Sequence, residues 1–134
     1  MGNIEQTLIV IKPDGFKRRL TGRILCRFED KGFELKRLKV FQFTTEQAEQ
    51  FYSPHSDKPF FKELVSFMTS GTVVASILQG EDAVNVVRLM IGSTVSTTAM
   101  PGTIRGDYGL GVTENIIHAS DSVETFIKES KVIF

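Results

Sequence analysis

The chain has no tryptophan, one cysteine, two histidines and four prolines in 134 residues. A single cysteine, Cys26, excludes an intrachain disulfide, so nothing points to an oxidising compartment. Its apolar helical surroundings predict a core position rather than a nucleophile. Net charge is also missing, because sixteen basic and sixteen acidic side chains cancel. That balance gives no global footprint for nucleic acid or an anionic membrane, and leaves room for a local basic pocket. No apolar run is long enough to span a bilayer. The start, Met1-Gly2-Asn3-Ile4-Glu5-Gln6, lacks the basic-then-apolar order of a secretory leader. Gly2 fits the opening of a myristoylation motif, but Gln6 stands where Ser or Thr is required. These absences predict a soluble, cytoplasmic protein that needs neither nucleic acid nor a membrane. The length and a hydrophobic content of 41% predict one domain, residues 1–134, with its own core.

What is present reads as alternating strands and helices. Thr7 to Lys12 is a β-branched apolar run, expected as a strand buried on both faces. Pro13-Asp14-Gly15 stops it as a turn. Thr21 is the expected cap of a helix bearing Ile24, Leu25 and Phe28, with Gly32 as terminator. Phe33 to Phe43 reads as a second strand whose alternation slips between Leu35 and Leu38, which predicts a bulge. Thr45 opens a helical stretch to about Tyr52, and Phe60 to Met68 recur at helical spacing. Thr72 to Leu78 is a third strand, ended by Gly80. Ala83 to Ile91 is an amphipathic helix stopped by Gly92. Residues 92–114 show no period and predict a long surface loop of functional kind. Asn115 to His118 is a short fourth strand. Asp121 and Glu124 then open a last helix to about Ser130. The order predicts an α+β, ferredoxin-like βαββαβ sandwich with a four-stranded antiparallel sheet, extra helices and that loop.

His118 carries the most information. A lone histidine at a strand end is usually structural, but this one opens onto Ala119-Ser120-Asp121-Ser122. A neutral imidazole has one nitrogen free to attack while the other donates to an acceptor. Glu129, in the last turn of the final helix, is a candidate acceptor. Lys12 at a strand end, Arg88 on a helix and Arg105 in the glycine-rich loop are candidate phosphate contacts, the arginines by their planar forks. Phe60 and Phe61 cannot both face the core, so one is a candidate for exposure and for stacking on a base.

These residues resemble a known family. Thr7-Leu8-Ile9-Val10-Ile11-Lys12-Pro13-Asp14-Gly15, Pro59-Phe60-Phe61, Met68-Thr69-Ser70-Gly71, Pro101-Gly102-Thr103-Ile104-Arg105-Gly106-Asp107 and Asn115-Ile116-Ile117-His118-Ala119-Ser120-Asp121-Ser122 are similar to stretches of the nucleoside diphosphate kinases. The match runs in register from about Thr7 to Phe134. The resemblance implies that His118 accepts the γ-phosphate of a nucleoside triphosphate and passes it to a nucleoside diphosphate, with ping-pong kinetics. It implies that Glu129 and Ser120 orient His118, and that Arg88, Thr94 and Arg105 contact phosphates. Lys12 and Asn115 align with contacts to ribose and phosphates, and Tyr52 with a residue beside the histidine. Phe60 aligns with the aromatic that stacks on the base, and Val112 with its apolar opposite. Low base specificity, service of cellular NTP and dNTP pools, Mg²⁺ held by the nucleotide's phosphates rather than by the protein, and a hexamer or tetramer are further implications. Four positions depart from the family pattern: Val95-Ser96 replaces asparagine-proline after Thr94, Lys58 replaces an arginine and Thr72 a proline. Many relatives also continue past the position of Phe134. A protein-to-protein phosphohistidine relay and a nucleotide- or RNA-binding module are the alternatives weighed against this reading.

Overall fold

The computed structural model describes residues 3–134, so Gly2 and the lipidation start weighed there lie outside the described residues. Strand β1 (Ile4–Ile11) is fully buried from Thr7 onward, as its β-branched run predicts. Ile9 and Ile11 join one hydrophobic cluster, Leu8 and Val10 the other, which is the two-residue alternation of a strand. Strand β2 (Glu34–Phe41), strand β3 (Val73–Glu81) and strand β4 (Ile117–Ala119) complete a sheet of order β2-β3-β1-β4. Every neighbouring pair is antiparallel, which is the predicted ferredoxin-like arrangement. The predicted bulge is present as a register shift between Leu35 and Arg37.

Among the described residues seven α-helices accompany the sheet: α1 (Pro13–Lys17), α2 (Thr21–Lys31), α3 (Thr45–Phe51), α4 (Phe61–Met68), α5 (Ala83–Ile91), α6 (Ile104–Tyr108) and α7 (Val123–Ile133). Ile24 and Phe28 of α2 pack with Val87 and Ile91 of α5 against Ile9 and Ile11. Phe51 of α3, Leu64 and Met68 of α4 and Ile133 of α7 pack against Leu8 and Val10. Burying each such side chain contributes about 1.5–3 kcal/mol. No helix of the described residues is long and apolar enough to cross a membrane.

Several boundaries differ from the sequence reading, each for a physical reason. Pro13-Asp14-Gly15 begins helix α1, with Pro13 in its first turn where a missing N–H is harmless. Thr21 does not cap α2. Leu20 precedes it in a helical conformation, and the Thr21 hydroxyl is buried without a partner. Helix α3 opens at Thr45 as the sequence predicts, and Thr44 caps it through a reciprocal box with Gln47. β3 runs through Gly80 to Glu81 because Glu5 and Ile4 continue the pairing. Gly80 is needed there for packing, since a Cβ would stand 2.5 Å from the Phe33 ring. The 92–114 segment is not wholly irregular. It holds a 3₁₀ turn at Ser96–Thr98 and helix α6, with Ser96, Ile104 and Arg105 buried. Cys26 is exposed, because its 100° steps from Leu25 and Arg27 turn it off the stripe that buries Ile24 and Phe28. Ser122 caps α7, and that helix continues beyond Ser130 because Ile133 anchors in the core. The fourth strand begins at Ile117 rather than Asn115, since Ile116 has a positive φ that breaks extended pairing.

Candidate active site

β4 is only three residues long, and His118 is its middle residue, opposite Val10 of β1. The imidazole Nε2 lies 3.0 Å from each carboxylate oxygen of Glu129 on α7. Both groups are largely buried, with side-chain exposures of 19% and 10%. Ser120, two residues beyond the histidine, donates its hydroxyl to Glu129 Oε1 at 2.7 Å. An ionised carboxylate only accepts, so Nε2 carries the proton and the neutral ring keeps its lone pair on Nδ1. The Phe51 and Tyr52 rings meet the imidazole edge-on at centroid distances of 5.0 Å and 6.0 Å. The Tyr52 hydroxyl is buried and has no hydrogen-bond partner in the described structure. Burial, and then the negative charge of Glu129, push this phenol far above its ordinary range, so it stays a neutral donor.

Positive charge gathers along the backbone in and just before β4. Lys12 follows β1 and is 6% exposed. Its Nζ donates to Asn115 Oδ1 at 2.7 Å and to the Thr113 carbonyl at 3.3 Å. Burial first, and then the charge of Arg105, lower its pKa from 10.5 to about 8 against the pull of Asp14. Arg105, on α6, is 5% exposed. It donates to the carbonyls of Asn115, Gly92 and Ile117 at 3.3, 3.0 and 2.6 Å. Burial, and then Arg88, lower its pKa to about 10. Arg88 of α5 donates to the Ala119 carbonyl at 3.2 Å and pairs with Asp121 at 2.8 Å. Arg105 therefore feels Arg88 and is felt by Lys12, three cations scattered in sequence. The Arg105 guanidinium meets carbonyls rather than carboxylates, so an added anion would find its charge unneutralised. Asn115 extends the network by donating from Nδ2 to the Thr94 carbonyl at 2.9 Å.

The remaining two predicted residues sit further out. Phe60 precedes α4 and is 46% exposed, while Phe61 packs on the second core cluster. One of the pair is thus exposed, as the helical spacing predicts. Val112 is 56% exposed and lines an open cleft of about 360 Å³ with Glu63, Phe67, Gly111, Thr113 and Glu114. Phe60 is not among that cleft's lining residues; its ring lies near His55, at 5.9 Å. Sequence reasoning missed Phe51, Asp14 and the pairing of Asp121 with Arg88. Phe51 adjoins Tyr52 and Asp14 lies in the quoted Lys12-Pro13-Asp14-Gly15 run, so adjacency was the only available signal. Among the described residues, no three histidine, cysteine or acidic side chains are grouped so as to hold a metal ion.

Fold and site define the class first: a ferredoxin-like α+β protein with a histidine–carboxylate pair beside clustered cations, a layout suited to handling phosphate. The family model described as nucleoside diphosphate kinase matches residues 5–134. A nucleoside diphosphate kinase of Staphylothermus marinus is 54% identical over 132 residues, 98% of this chain and 94% of that protein. The crystal structure of the Aquifex aeolicus nucleoside diphosphate kinase superposes with a TM-score of 0.95 at 47% identity, covering 98% of this chain and 96% of that one. The Halobacterium salinarum enzyme, solved in complex with CDP, also gives 0.95, at 42% identity over 98% of this chain and 88% of that one. The chain belongs to the nucleoside diphosphate kinase family. It is an enzyme of phosphoryl transfer between nucleoside triphosphates and diphosphates.

Proposed function

We propose that the chain acts as a single domain in which His118 carries the phosphoryl group. The observation behind this reading is the grip of Glu129 on Nε2, which commits that nitrogen and leaves the Nδ1 lone pair for attack. In the first half-reaction Nδ1 bonds to the γ-phosphorus. The bridging P–O bond breaks, its electron pair goes to the β-phosphate oxygen, and the diphosphate leaves. Positive charge that develops on the imidazole is met by Glu129, which Ser120 holds in place. A second diphosphate then attacks phosphorus through a terminal β-phosphate oxygen, the P–N bond breaks, and neutral His118 is restored. Two half-reactions through one covalent intermediate give ping-pong kinetics.

Lys12, Arg88 and Arg105 clamp the phosphates, and Thr94, Tyr52 and Asn115 complete the polar contacts. Phe60 stacks on the base and Val112 faces it. Stacking accepts any base, so specificity is low. Lys12, Arg88 and Arg105 are hydrogen-bond donors and not metal ligands, so a Mg²⁺ ion would enter on the nucleotide's own phosphate oxygens. It is carried by the nucleotide, where it neutralises phosphate charge. The assembly is a homotetramer or homohexamer, working in the cytoplasm on NTP and dNTP pools.

Incubation with γ-labelled ATP and Mg²⁺ tests the reading. Acid-labile, alkali-stable label on His118, chased onto diphosphates of several bases, is expected. Unlabelled His118, or label persisting in His118→Ala, would overturn it. Glu129→Gln removes a charge-assisted hydrogen bond of about 1.5–3 kcal/mol, so labelling should slow roughly 10- to 100-fold.

A further inference from the structure

The run Lys12-Pro13-Asp14-Gly15 enters the chemistry above only through the Lys12 side chain, yet three of its residues hold the backbone of Ile116. Ile116 has φ +74°, and the Ile117 N–H donates to the Asn115 carbonyl at 2.8 Å. These two features define a γ-turn of the rare, strained kind. Positive φ is an outlier for a β-branched residue, and Ile116 is fully buried, so it persists only because its surroundings impose it. Asp14 Oδ2 accepts the Ile116 N–H at 3.1 Å. The Lys12 N–H donates to the Ile116 carbonyl at 2.8 Å. Gly15 leaves room for that carbonyl, since a Cβ there would stand 3.0 Å from its oxygen and 2.8 Å from Ile11 Cγ2. The turn is centred two residues before His118, immediately ahead of a strand held to β1 by three residue pairs. Arg105 and Arg88 hold the Ile117 and Ala119 carbonyls on either side of His118, and the turn sets the path by which the chain reaches them.

The geometry points to Asp14 as a positioning residue: by accepting the Ile116 N–H it holds the γ-turn, and through the turn it aims His118 between Glu129 and the phosphate site. This rests on His118 being the nucleophile. Asp14 acts as an acceptor rather than as a charge. Burial pushes its carboxyl upward, and its second oxygen, Oδ1, is buried with no hydrogen-bond partner in the described structure. One oxygen suffices, so an amide oxygen can replace it. A contribution made only through the charge of Lys12 would instead appear in nucleotide affinity.

Rapid-quench labelling of His118 by γ-labelled ATP and Mg²⁺ separates these possibilities, with wild type, Asp14→Ala and Asp14→Asn compared at saturating ATP. Misdirecting a reacting atom slows chemistry strongly, so Asp14→Ala should lose roughly 10- to 100-fold in phosphorylation rate. Its ATP dissociation constant should stay within about twofold of wild type, because only the chemical step is affected. Asp14→Asn should recover most of the rate, and its Ile116 amide should remain protected from hydrogen exchange. If Asp14→Ala does not fold, Asp14→Asn decides alone: a near wild-type rate supports the role and a folded but slow enzyme overturns it. Wild-type speed in Asp14→Ala, or equal slowing in both variants, overturns it while His118 remains the nucleophile. No label on wild-type His118 removes the nucleophile instead, and that outcome is read independently of either variant.

Discussion

A lysine buried beside an arginine holds its proton weakly, and Lys12 titrates near 8 instead of 10.5. Between those values the unfolded chain binds a proton that the folded chain lacks. Folding stability contributed by Lys12 therefore rises with pH across that window, and the full penalty for its charge is felt below about 8. In the role proposed for Lys12, nucleotide binding should run the other way, because a phosphate would need the ammonium. The expected outcome is a kcat/KM that falls as pH rises through about 8, while the melting temperature lost to Lys12, relative to Lys12→Met, shrinks over the same range. Lys12→Arg should move the break in activity upward. A kcat/KM flat from about pH 7 to 9 would rule out a titrating Lys12 at the phosphate site. The residue types were legible in the sequence, but the shift was not. It depends on Arg105 and Asn115, about a hundred positions away, which bury and crowd the ammonium.

At the scale of elements, strand cores, the bulge and most helices followed from periodicity, whereas caps and the 92–114 segment did not. A cap is decided by one residue's backbone conformation, so Thr44 and Ser122 act where their neighbours looked equally suitable. The 92–114 segment has no period because it is folded around an arginine rather than an apolar stripe. Arg105 ties it to Asn115 and Ile117, and Arg27 of α2 clamps Asp107 at 2.6 Å. Within this segment the Ser96 hydroxyl is buried without a partner, while its N–H bonds to the Gly111 carbonyl at 3.2 Å. Ser96→Ala removes an unsatisfied group and keeps the backbone bond. Denaturant unfolding should show it neutral or more stable by up to about 1 kcal/mol. A loss of more than about 1 kcal/mol would mean that the hydroxyl is satisfied. Nothing in the structure explains why Val95 stands where the family has asparagine.

The fold sets Arg105 within reach of the charges of both Lys12 and Arg88, a repulsion that a bound anion would relieve. A nucleoside diphosphate with Mg²⁺ at a hundredfold excess over its dissociation constant should add about 2.7 kcal/mol. For a chain of this size that corresponds to roughly 5–15 °C in a thermal melt. Purine and pyrimidine diphosphates should shift the melt alike, and inorganic phosphate less. No shift with any diphosphate would contradict binding at this site. Light scattering should give a mass four or six times the 15.0 kDa chain.

The sequence by itself determined the α+β class, the buried central strand and a single histidine worth following, because these depend on local periodicity and on rare residue types. Its longer motifs also carried the family. Tertiary structure alone decided that Glu129 takes Nε2, that Arg105 feels Arg88 and is felt by Lys12, and that Asp14 holds the strained turn ahead of His118. Each of those is a contact between segments brought together only when β4 enters the sheet beside β1, and spacing along a chain does not encode such convergence.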